Sequence, residues 1–162
     1  MTLTQEYMHS GNNNHIMNMA IENEVLATAT CNFEIKVWDM KAKKELWKID
    51  GLGDSRGGTL RINKGLVISA QLQKNTKIWD ARSGKLKSWL PPSVGWDVDI
   101  SPSSTLLAVP DKNHIQIWSL KDFTKLNDID MVAEIGNVRF QTDDKIVVEL
   151  YNGEAHLVTL KN

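Results

Sequence analysis

Along most of the chain, apolar and polar residues alternate with a period of two, in short runs broken by Gly, Asn, Asp, Lys or Ser. Alternation of that kind puts every second side chain on one face and predicts short, half-buried β-strands. The first set of strands is read at residues 16–21, 25–30, 35–40 and 46–50. A second set repeats it at residues 58–63, 66–71, 76–81 and 86–90, with Lys64-Gly65 and Arg82-Ser83-Gly84-Lys85 as hairpin turns. The third runs through residues 95–101, 106–110, 114–120 and 125–129, and the fourth through 137–141, 145–150 and 155–160. The fourth set is one strand short. Residues 3–8 alternate as well and are expected to supply that strand, because the set would otherwise present an open edge.

A Trp closes the third strand of each of the first three sets. Ile35-Lys36-Val37-Trp38-Asp39, Thr76-Lys77-Ile78-Trp79-Asp80 and Ile115-Gln116-Ile117-Trp118-Ser119 place it 41 and then 39 residues apart, and Val158 takes the slot 40 further on. A period of about 40 with a Trp-Asp ending is the signature of a propeller blade. The segments resemble WD-repeat blades over essentially the whole chain, most closely in the run Trp96 to Ala108, which is similar to an inner strand, Ser-Pro turn and second strand of that family. The resemblance implies an all-β fold, a β-propeller of four-stranded antiparallel blades with four blades per chain. The expected division is a closing strand at 1–9, blade one at 10–50, blade two at 51–90, blade three at 91–130 and blade four at 131–162. Two chains closing one eight-blade ring suit the wedge angle of such blades better than one chain does. Four blades in a closed ring need about 90° each, eight need about 45°, and rings of about seven, near 51°, are common in the family.

The chain departs from the family in its polar network. The turn position six residues before the Trp, commonly Asp, reads Asn32, Gln73, Lys112 and Asn152, and the Gly-His pair that opens a blade is absent, although His15 is placed to offer an imidazole to Asn32. With that network reduced, stability is expected to lean on Val37, Ile78, Ile117 and Leu157 stacking between sheets. Gly58 and Gly136, at the starts of inner strands two and four, permit close backbone approach.

Net charge of -1 gives no global attraction to nucleic acid or an anionic membrane. The distribution is uneven: residues 31–90 carry 13 Lys/Arg and 6 Asp/Glu, residues 91–162 carry 6 and 11. Cys31 is the only cysteine, the N-terminus lacks a signal-peptide pattern, and no stretch is long and apolar enough to span a bilayer, so an intracellular location, cytoplasmic or nuclear, is expected.

Candidate chemistry is sparse. His9, His15, His114 and His156 have no metal-site spacing, and the glycine-rich segment 51–58 lacks the Lys-Ser/Thr of a phosphate cradle, so no metal and no cofactor are expected. Asp97 and Asp99 share one strand face and form a carboxylate pair, read first as channel lining and second as an acid/base pair. Lys41-Ala42-Lys43-Lys44 beside Trp47 offers an RNA-phosphate contact with an aromatic for stacking. Trp79-Asp80-Ala81-Arg82 is similar to the Trp-Asp-x-Arg box of WD-repeat receptors that dock on a cullin-ligase adaptor.

What the resemblance implies is a non-catalytic scaffold for protein or peptide. The face carrying the loops between second and third strands and between blades would display Phe33, Ser55, Arg56, Leu72, Lys74, Val94, Trp96, Asn113 and Tyr151. Aromatics and Arg on such a rim are the residue types that anchor interfaces. The competing expectations are an RNA-binding module using residues 31–90, a substrate receptor of a ubiquitin ligase, and an enzyme with a channel site.

Overall fold

The structure, a computed structural model, describes residues 15–50, 58–71, 74–92 and 97–161. The expected strand at 3–8, the glycine-rich segment, and the candidate residues Ser55, Arg56, Leu72, Val94 and Trp96 lie outside the described residues.

Among the described residues, fifteen strands form four antiparallel sheets. The first contains β1 (Ile16–Glu22), β2 (Val25–Thr30), β3 (Ile35–Asp39) and β4 (Lys44–Ile49). The second contains β5 (Gly58–Asn63), β6 (Leu66–Gln71), β7 (Asn75–Asp80) and β8 (Leu86–Pro92). The third contains β9 (Asp99–Ile100), β10 (Leu106–Asp111), β11 (His114–Ser119) and β12 (Lys125–Asp130); the fourth, β13 (Ile135–Thr142), β14 (Lys145–Leu150) and β15 (Ala155–Thr159). Each sheet is a meander in chain order, so every strand pairs with its sequence neighbour through a short turn. The turn chemistry follows the residues: Lys64 and Gly65 both take positive φ, 45° and 74°, as the two central positions of a type I′ hairpin require. The class is all-β, and among the described residues no helix is long and apolar enough to cross a membrane.

Three apolar seams join the sheets in sequence. Ala27, Val37 and Leu60 belong to the first, Ile68, Ile78 and Val98 to the second, and Ala108, Ile117 and Val138 to the third, each of these residues 2% exposed or less. Burying an Ile or Leu side chain contributes about 1.5–3 kcal/mol, so seams rather than single blades carry the stability. Val37, Ile78 and Ile117 stack between sheets as expected. Leu157 does not: it is 58% exposed, because no described sheet follows the fourth. The four sheets form an arc, and among the described residues no apolar cluster joins the fourth sheet to the first.

In the second sheet the Trp79 indole N–H donates to Ser69 Oγ at 3.0 Å inside the core. His15 meets its turn through the main chain, its carbonyl accepting the Cys31 N–H at 2.9 Å. Ties also run between hairpins of successive sheets: the Glu22 carboxylate accepts the N–H groups of Lys64 and Gly65, the Lys64 ammonium donates to Ser103 O, and the Ser103 N–H donates to Asp143.

Candidate functional site

Three loops of the third and fourth sheets converge on one rim. They are the β10–β11 turn at Lys112-Asn113, the β12–β13 connection from Met131 to Glu134, and the β14–β15 turn from Tyr151 to Glu154. Lys112 at φ 57° and Gly153 at φ 88° make the two tight turns. The loops are laced through their backbones: Met131 N–H donates to Asn113 O at 2.7 Å, Ile135 N–H to Lys112 O at 2.7 Å, and Tyr151 N–H to Glu134 O at 2.9 Å. The Asn113 side-chain amide adds a bond to Met131 O. Backbone bonds therefore lace this rim together, the Ile135–Lys112 bond crossing from the fourth sheet to the third.

On it, Lys112, Asn113, Val132, Ala133 and Glu134 line an open hollow. Val132 stands 81% exposed and Tyr151 58% exposed. Two large apolar side chains held on this laced backbone beside one exposed Lys and one exposed Glu can give a partner an anchor and a register. Just after Tyr151, His156 of β15 and Glu154 of the turn lie 3.0 Å apart, and that contact, followed by the Asn152 side chain, holds the Glu154 carboxyl below its ordinary range.

Of the residues expected on a binding face, the structure brings Asn113 and Tyr151 to this rim. Lys74 is exposed on the β6–β7 loop of the second sheet. Phe33 is a correction: it is 2% exposed, a core residue of the first seam. Its φ of 57° turns the ring inward, against Gly58 of the next sheet. Val132 and Glu134 escaped the sequence reading; their one signal was a loop between blades, which says nothing about which of its side chains faces out.

The carboxylate pair is occupied. Asp97 Oδ1 accepts from Thr59 Oγ1 at 2.7 Å and from Arg61 Nη2 at 2.9 Å, and Arg139 of the fourth sheet grips its second oxygen. Asp99 accepts the Phe140 N–H at 2.8 Å and lies 3.8 Å from Arg61. Arg61 of β5, Arg139 of β13, Asp99 of β9 and Asp97 just before β9 thus form a clamp at the middle of the arc. Both carboxylates are thereby engaged in ties between neighbouring sheets.

Trp47 is likewise committed elsewhere. Its indole N–H donates to Ala81 O at 2.8 Å and its ring lies 6.2 Å from that of Trp79, so it is half-buried in the first seam and not free for a base to stack on. Arg82 of the Trp-Asp-x-Arg segment donates to Asp39 Oδ2 at 3.1 Å, joining the second sheet to the first. The Asp39 carboxyl also accepts the Ala42 N–H at 2.8 Å; that bond first, and Arg82 after it, holds it below the usual carboxylate range.

No family model matches the chain. The U3 small nucleolar RNA-associated protein 15 homolog of Xenopus tropicalis is 26% identical over 139 residues, 83% of this chain and 27% of that protein. The WD repeat-containing protein 89 homolog of Dictyostelium discoideum is 24% identical over 134 residues, 81% of this chain and 37% of that one. The chain therefore spans about a third or less of the length of the curated relatives it matches. These weak likenesses, one of them to a protein named for its WD repeats, point the same way as the spacing of Trp38, Trp79 and Trp118. Among solved structures, the computationally designed Ika4 protein superposes with a TM-score of 0.78 at 18% identity, over 98% of this chain and 100% of that one. The designed Ika8 protein gives 0.76 at 19% identity, over 93% of this chain and 47% of that one. At such identities the likeness is one of fold.

Proposed function

We propose that this chain is a non-catalytic scaffold that binds a protein or peptide on the rim between the third and fourth sheets. The observation that carries the reading is the pair Val132 and Tyr151, both more than half exposed on loops that backbone bonds lace together. Exposed anchors on a fixed frame fit a partner with little loss of conformational freedom. The weak likeness to a WD repeat-containing protein supports an interaction role. The partner takes an apolar side chain to the hollow and opposite charges to Lys112 and Glu134. The scaffold acts inside the cell, and the name of the Xenopus relative supports a nuclear setting. It works as a homodimer.

RNA binding is the second reading, favoured by the excess of Lys/Arg over residues 31–90 and by the RNA association in that relative's name. It uses phosphate contacts alone, since Trp47 is packed in a seam. The two separate cleanly. Affinity capture with the wild-type chain and with a Val132→Asp, Tyr151→Ala variant, read by mass spectrometry, should show a set of proteins lost only from the variant. An identical set from both would sink the rim as the site, and a salt-dependent RNA gel shift retained by the variant would favour the second reading.

A further inference from the structure

Each interior seam is built from the same two parts. One part is a registered cross-strand pair on the second and third strands of a sheet: Ala27 opposite Val37, Ile68 opposite Ile78, and Ala108 opposite Ile117. The other is an alternating pair on, or for Val98 just before, the inner strand of the following sheet: Leu60 and Ile62, Val98 and Ile100, Val138 and Phe140. The first seam joins Ala27 and Val37 to Leu60 and Ile62, and the second and third repeat that junction. All six residues of the first kind are 2% exposed or less.

The chain carries one more of each part, and both are uncovered. Val147 and Leu157 are registered opposite each other on β14 and β15, at the positions of those cross-strand pairs, yet are 37% and 58% exposed. Met19 and Ile21 on β1 pair with Thr28 and Leu26, as Leu60 and Ile62 pair with Ser69 and Val67, yet are 66% and 59% exposed. On the other side of β1, Asn18 donates to Gly58 O and Glu22 holds the Lys64-Gly65 turn, so Met19 and Ile21 face away from the second sheet. One end of the arc lacks the partner that the other end offers.

We propose that the uncovered Val147–Leu157 face of one chain docks on the Met19–Ile21 face of a second copy, and the reverse, closing two arcs into one ring of eight blades. The inference rests on the homodimer reading above and says which faces make it. A second copy is the occupant because the repeat itself supplies the complementarity: the two ends are the two halves of a junction the chain already makes three times. The contact is head-to-tail, which closes into a ring when the rotation fits. Among the described residues no seam joins the fourth sheet to the first, so a lone ring of four blades at about 90° is not closed, and a ring of two copies needs about 45° per blade.

The purified 162-residue chain tests it by light scattering at micromolar concentration. The expected mass is twice the chain's 18.3 kDa. Met19→Lys and Leu157→Glu each put a charge on a position more than half exposed in the single chain, so both variants fold, which circular dichroism checks. Each alone should halve the mass. Mixed one to one, they should recover it, because one seam is then native and the other sets Lys against Glu. A wild-type chain at 18.3 kDa overturns both this inference and the homodimer reading while leaving the Tyr151 rim untouched. A wild-type dimer that survives either single variant, or a mixture that stays monomeric, overturns the head-to-tail seam alone. Growth to larger species overturns the closed ring.

Discussion

Gly58 lies directly against the ring of Phe33. A methyl at Gly58 would stand inside van der Waals contact of both that ring and the Ala70 carbonyl oxygen, one a packed core side chain and the other backbone, so neither can step aside. The glycine is therefore what lets the ring of one sheet fill the seam against the next.

Gly58→Ala should accordingly cost about 1–3 kcal/mol, the usual penalty of overpacking a tight core. Gly136, where the nearest atom to an added methyl is Glu149 O at 3.5 Å, should accept Ala with much less loss. Urea unfolding of the two variants compares them, and equal midpoints would contradict the packing argument.

Two tryptophans of the second sheet should behave in opposite ways. Trp79 is 9% exposed with its indole N–H bonded to Ser69, and Trp79→Ala should cost about 3–5 kcal/mol. Trp89 sits opposite Lys77 on the outer strand, 62% exposed, and Trp89→Ala should stay within about 0.5 kcal/mol of wild type. Calorimetry distinguishes them; a costly Trp89→Ala would mean that another surface covers that strand.

The Asp39–Arg82 pair should prove unequal. Asp39→Ala removes both the Arg82 contact and the bond that fixes the Ala42 turn, whereas Arg82→Ala removes only an exposed end. Thermal melts should fall for the first and barely move for the second. Equal losses would show the ion pair, not the turn bond, to be the working part.

Asp143 should make the contact between the third and fourth sheets sensitive to acid. Its bond from the Ser103 N–H, and after it the Ser103 hydroxyl, holds its carboxyl below the ordinary carboxylate value. A group whose pKa is lower folded than unfolded stabilises the fold above its unfolded pKa of about 3.9, and that contribution is lost as pH falls through the folded value. Asp143→Asn should therefore be less stable than wild type near neutral pH, with the gap closing below about pH 4. Urea midpoints at several pH values check the sign; a gap that does not change with pH would refute it.

The sequence by itself determined the strands and their turns. Most observed bounds agree with the alternation to within one or two residues, and the Lys64-Gly65 turn stands where its residue types require, because period-two patterning and turn chemistry are local properties. The widest difference is the third sheet's inner strand, described only at Asp99–Ile100, where the pattern predicts 95–101. The resemblance placed Asn113 and Tyr151 on loops between second and third strands, and both lie at such turns. Only the tertiary structure decided what each face meets: Phe33 turned inward onto Gly58, Trp47 set against Trp79, Asp97 and Asp99 held by arginines, and Leu157 left uncovered though its pattern matches the buried Ile117. The physical reason is that alternation says which side chains share a face, while burial depends on what arrives at that face from a sheet about forty residues away.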